Sequence, residues 1–143
     1  FGYFLWNFVS GRYSTRIGID NMVFFGALVA TLATAASLLV FGIGLGTPAS
    51  FFGSMTIVGI GNGMTIPNAT SGMLSVRPHL AGTASGLGGA IMIGFGAILS
   101  ALAGIILTGK DSAMPVLWLM VASTAGGLLA AAFVIRRAKA IGA

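Results

Sequence analysis

Two side-chain amides and a hydroxyl, Asn62, Thr65 and Asn68, stand three residues apart in a segment that is otherwise apolar or small. At about 100° per residue, Thr65 and Asn68 fall with Ser54, Gly61 and Gly72 within roughly 40° of one line down a helix, with Asn62 at its margin. An amide in hydrocarbon must find a partner or line a wet cavity. Asn62, Thr65 and Asn68 are therefore the first candidates for a substrate path, and interhelical hydrogen bonding is the competing role. Pro67 lies beside them. Its ring clashes with the carbonyl of Gly63 one turn earlier, which predicts a kink or local unwinding and backbone groups freed for a pathway or for a neighbour.

Little else in the chain can carry a reaction. His79 and Ser85 are the one conceivable dyad, yet six residues apart they point away from each other on a continuous helix, and GTASG at 82–86 is not a strained nucleophile elbow. The glycine runs GIGLG (42–46) and GIGNG (59–63) have no readable strand ahead of them, as a dinucleotide fingerprint requires. There is no cysteine, so neither a disulfide nor a thiolate metal site is available. The sequence points away from an enzyme and from any cofactor or metal.

The elements that would position these residues are four apolar runs, at about 22–44, 50–74, 82–107 and 114–135, free of Asp, Glu, Lys, Arg and His. Each reaches the ~20 residues that a helix needs to cross ~30 Å of hydrocarbon. With a mean hydropathy of +1.03 and 6% charged residues, the composition is that of an integral membrane protein. The stretch 1–10 reads as the end of a further span, about 15 Å long as a helix and ended by Gly11 and Arg12. Together with a first residue that is not Met, this predicts the C-terminal piece of a longer protein. Asp20, Thr47 with Pro48 at the first helical position, and Asp111 or Ser112 are the expected helix N-caps.

The net charge of +5 sits in alternate connections. Arg12 and Arg16 against Asp20 occupy the first, Arg77 and His79 the third, and Arg136, Arg137 and Lys139 the tail at 136–143; the second has no charge and the fourth pairs Lys110 with Asp111. That is the positive-inside pattern, with the first and third connections and the C-terminus in the cytoplasm of a multi-pass protein of the cell (inner) membrane. Three short loops parted by spans do not form the contiguous basic surface that nucleic acid requires.

Twenty-three residues are glycine. In the run 82–107, Gly82, Gly86, Ala90 and Gly94 follow at i+4, while Gly89, Gly96, Ser100 and Gly104 make a second small seam; Gly59 and Gly63 pair in the run before. Small residues on two faces predict neighbours on both sides, a helix deep in a bundle.

The stretch GNGMTIPNATSGMLSVRPHLAGTASGLGGA, 61–90, resembles the tenth span, the following cytoplasmic loop and the start of the eleventh span in drug:proton antiporters of the major facilitator superfamily, of the bicyclomycin and chloramphenicol resistance type. The PNA core (67–69) and the AGTASG turn (81–86) carry the likeness. Upstream, GRYSTRIG (11–18) is similar to the superfamily's loop motif G-x-L-A-D-R-x-G through Gly11, Arg16 and Gly18, with Tyr13 in place of the aliphatic residue and Thr15 in place of the Asp. The resemblance implies an all-α, polytopic helix bundle, part of the C-terminal six-helix half of a twelve-span transporter, working by alternating access. It also implies efflux of small lipophilic drugs, hence antibiotic resistance, with protons as the coupling ion. The partners would then be the lipid bilayer and the missing N-terminal part of the same transporter. By that likeness the end of the eighth span supplies Trp6 and Asn7 to a drug-sized site and the eleventh supplies Met92 and Phe95, polarizable surfaces that suit varied apolar ligands. Pro67, Gly63, Gly82, Gly86 and Gly94 then serve conformational change and packing. The competing reading of the whole chain is a small multi-span interaction or assembly subunit without transport activity.

Overall fold

The computed structural model describes residues 2–108 and 112–140; Phe1, the Lys110–Asp111 pair and the end of the tail lie outside the described residues. Every regular element described is helical: α1 Gly2–Ile17, α2 Ile19–Gly42, α3 Pro48–Ser75, α4 Ala81–Leu107 after a single 3-10 turn at Pro78–Leu80, and α5 Met114–Ala140. Three stretches, α2, the run Pro78–Leu107 and α5, are long and apolar enough to cross a membrane. The chain is a membrane protein built as a helical bundle. The 28 residues of α3 cover the expected run 50–74 and would span about 42 Å, but the polar side chains at 50, 54, 56, 62, 65 and 68 leave it less apolar than those three.

Helix ends follow local chemistry. Thr47 Oγ1 accepts from the Ser50 amide at 3.1 Å while Ser50 Oγ accepts from the Thr47 amide at 2.9 Å, a reciprocal capping box, and Pro48 takes the position whose missing donor the helix does not need. Ser112 Oγ accepts from the Met114 amide at 3.3 Å. Asp20, by contrast, is not the cap of α2. Gly18 occupies that place with φ 89°, a left-handed value that glycine adopts without strain, and Asp20 falls in the first turn, where a carboxylate still faces the positive end of the helix dipole. Nor does α1 stop at Gly11 and Arg12. A helical glycine costs only about 1 kcal/mol, too little to end a helix unaided, and α1 runs on to Ile17 before Gly18 turns the chain.

The bundle is organised around α2, which packs most extensively on α3 and next on α5. The α2–α3 crossing is built on backbone proximity. A Cβ at Gly61 would lie 2.5 Å from the Gly26 carbonyl oxygen and 2.8 Å from the Ala30 nitrogen, so only glycine fits. Ala30, Ala33 and Val58 form the buried apolar cluster above that contact, with Met55 against it. On the other side, Thr34 Oγ1 and Thr124 Oγ1 sit 2.9 Å apart and tie α2 to α5. α1 runs parallel to α3, Tyr3 and Asn7 lying over Gly63 and Ser10 over Asn68.

One packing expectation is not met among the described residues. α4 contains no buried residue and lies at the margin of the described bundle, and a Cβ at Gly82, Gly86, Gly89, Gly94, Gly96 or Gly104 would meet nothing within 4 Å. Small residues permit close approach but do not supply a neighbour. The α4 glycine that does meet one is Gly88, whose Cβ position is 2.8 Å from the Met73 methyl carbon.

Candidate functional site

Helical periodicity brings four α1 residues onto one face, Asn7, Ser10, Gly11 and Ser14, at i, i+3, i+4 and i+7. Opposite them α3 presents Pro67, Asn68 and Ser71. With Ile19 at the start of α2, these residues line a half-open cavity of about 320 Å³. Asn68 is its anchor. It is 4% exposed, and its Nδ2 donates to Ser10 Oγ at 2.7 Å and to the Met64 carbonyl oxygen at 2.7 Å; Ser10 itself is 0% exposed. Because a backbone carbonyl only accepts, the Met64 contact fixes which end of the amide is nitrogen. Asn68 Oδ1 then has no hydrogen-bond partner among the described residues.

The expected polar stripe on α3 divides among three surroundings. Asn68 turns to α1. Thr65 turns to α2, its Oγ1 donating back to the Gly61 carbonyl oxygen at 2.9 Å while standing where a Cβ on Gly26 would collide with it. Asn62 is exposed. α3 stays helical through Pro67, without an unwound turn. Gly63, whose carbonyl the proline leaves without its usual donor, is where α1 comes closest: a Cβ there would sit 2.8 Å from the Tyr3 carbonyl oxygen and 3.4 Å from Trp6 Cβ.

Among the remaining candidates, Asn7 joins Asn68 and Pro67 in the cavity wall, and Trp6 is half-buried beside it on α1. Met92 and Phe95 are exposed on α4, away from this cavity, as are Gly82, Gly86 and Gly94. Of the loop motif, Gly11 contributes to the cavity wall, Arg16 is exposed in the last turn of α1, and Gly18 makes the turn. Ser10, Ser14 and Ser71 are the site residues that the sequence reading missed. The signal was the spacing of Asn7, Ser10 and Ser14, which is visible only if the helix is carried through Gly11.

No family model matches the chain, and neither does any characterised protein or solved structure.

A second, open cavity of about 570 Å³ adjoins the first and shares Ser14 and Ile19 with it; its other walls are Gly18, Asp20, Asn21 and Lys139. It lies at the end of the bundle to which the helix order brings Arg12, Arg16, Arg77, Arg136, Arg137 and Lys139, whereas the loop at 43–47, at the other end, carries no charge. Among the described residues no three His, Cys, Asp or Glu side chains come together.

Proposed function

We propose that the chain is the C-terminal portion of a major facilitator drug:proton antiporter of the inner membrane, with its positively charged end and C-terminus in the cytoplasm. The observation that carries this reading is the polar core of α3. A buried amide next to an in-helix proline, beside a cavity in an otherwise apolar bundle, is costly to keep unless a pathway or a moving contact uses it. The resemblance of 61–90 to the tenth and eleventh spans of such transporters supports the same reading. So do the exposed faces of α3 and α4, since Asn62, Met92 and Phe95 remain available to a substrate moving between two halves. Protons are the proposed coupling ion, and their carrier lies elsewhere in the transporter, because the helices of this portion place no acid within the apolar slab.

The test is drug efflux per folded transporter, with membrane abundance measured separately. Asn62→Leu is expected to lower specific efflux of lipophilic drugs several-fold at near-normal abundance, as loss of a ligand contact does. Asn68→Leu is expected to lower abundance, because it leaves Ser10 without its partner. Unchanged specific efflux in both variants across several drugs removes α3 from the substrate path. The second reading, an interaction subunit, is favoured by the unpartnered glycine seams of α4; it predicts that Gly86→Leu and Gly94→Leu abolish co-purification of a partner.

A further inference from the structure

The cavity between α1 and α3 and the open cavity beside it adjoin each other across Ser14 and Ile19. Asn7 to Ser14 covers about 10 Å along the helix axis, and Asn7 lies about 8 Å beyond the exposed Arg12, roughly a quarter of a ~30 Å hydrocarbon layer. Polar side chains line the way in: Asn21 and Ser14 near the mouth, Ser71 and the Asn68–Ser10 pair further along, and Asn7 at the inner end.

We propose that the two cavities form one water-filled vestibule, entering the bundle from its positively charged end and reaching the buried Asn68–Ser10 pair. The chemistry of the walls selects the occupant. A lipid chain there would set the polar residues Asn7, Ser14 and Ser71 of the lining against hydrocarbon, at a cost of a few hydrogen bonds. An ion would lose its hydration in an inner section whose lining holds no ionised side chain, and at the mouth Asp20 and Lys139 favour neither sign of charge. Water satisfies donors and acceptors alike, and the inner cavity has room for several molecules. The vestibule is formed by α1, α2 and α3 with Lys139 of α5 at its mouth, and stands whether or not the chain transports a drug. The Asn68–Ser10 contact is the single side-chain hydrogen bond between α1 and α3 among the described residues.

Cysteine modification tests this in a chain with no cysteine of its own. The full protein is placed in sealed vesicles of both orientations and treated with membrane-impermeant 2-sulfonatoethyl methanethiosulfonate, which needs a hydrated thiolate. Arg77→Cys marks the side on which the charged end lies. Ser14→Cys and Asn7→Cys are expected to react from that same side, Asn7→Cys about ten-fold faster than Ala27→Cys, a buried position at comparable depth in α2. The unsubstituted protein gives an independent measurement: with 15N-labelled asparagine, the Asn68 side-chain amide, assigned by its disappearance in Asn68→Gln, should receive magnetisation from water. Reaction of Asn7→Cys from the opposite side, equal rates at Asn7→Cys and Ala27→Cys, or an Asn68 amide that receives nothing from water would each overturn the vestibule. Efflux is not part of the readout, so loss of the transport reading would leave this result unaffected.

Discussion

At the scale of single residues, the bundle is held by a few polar contacts whose partners are all local or one helix away. Asn68 commits both hydrogens of its amide, one to its own helix and one to Ser10. Removing the acceptor strands a buried donor. Ser10→Ala is therefore expected to lower the stability of the bundle by about 1–2 kcal/mol, read as a shift in the unfolding midpoint in mixed detergent micelles. Thr34→Val removes a contact of a different kind. The partner left behind, Thr124, also donates to the Met120 carbonyl oxygen at 3.0 Å, so the loss of the interhelical bond should cost only about 0.6 kcal/mol, the average for a hydrogen bond between membrane helices. The two hydroxyls look alike in the sequence, but Thr124 keeps an acceptor in its own helix, whereas the Asn68 hydrogen that Ser10 accepts has no second acceptor among the described residues.

At the scale of helices, glycine divides into two groups that composition does not separate. Gly26, Gly61 and Gly63 sit where backbones meet, and a methyl group there enters the space of a carbonyl or amide. Gly61→Ala and Gly63→Ala are expected to destabilise by about 1–3 kcal/mol, the range for overpacking a tight interface, while Gly86→Ala and Gly94→Ala, which open onto empty space, should be neutral or slightly stabilising in the same micelle assay. A comparable loss in all four would mean that α4 is packed after all. The i+4 spacing that marked α4 as a buried helix was read correctly as a pattern. It does not by itself place the helix, because a small stripe describes what the helix permits and not which neighbour arrives.

At the scale of the whole molecule, the up-and-down course of the chain collects the basic side chains at one end. Anchoring charge on one side of a membrane fixes orientation, so that end is expected to stay in the cytoplasm. Arg77→Cys should escape impermeant thiol reagents added to intact cells and react once the membrane is opened. Labelling from outside intact cells would invert the proposed orientation and carry the C-terminus with it.

Much of this was legible from residue types in order along the chain. Runs without charge, long enough for a bilayer, determined that the chain is helical and membrane-embedded, since hydrocarbon demands that backbone groups pair within each segment. Thr47, Pro48 and Ser112 marked their helix ends because capping acts over three or four residues. The start of α2 was misplaced by two positions, as Gly18 and not Asp20 precedes its first turn. What only the tertiary structure decided is which face each polar residue turns to. Asn62, Thr65 and Asn68 occupy neighbouring angles on one helix, yet one is exposed, one lies against α2 and one is bonded to α1, because three separate surroundings begin within that arc. The cavity was hidden for the same reason: its walls come from residues 7–14, 19 and 67–71, and their meeting depends on α1 continuing past Gly11 to lie parallel to α3. Helix continuity through one glycine is a balance of about 1 kcal/mol, and packing against Gly63 and Asn68, not local preference, settles it.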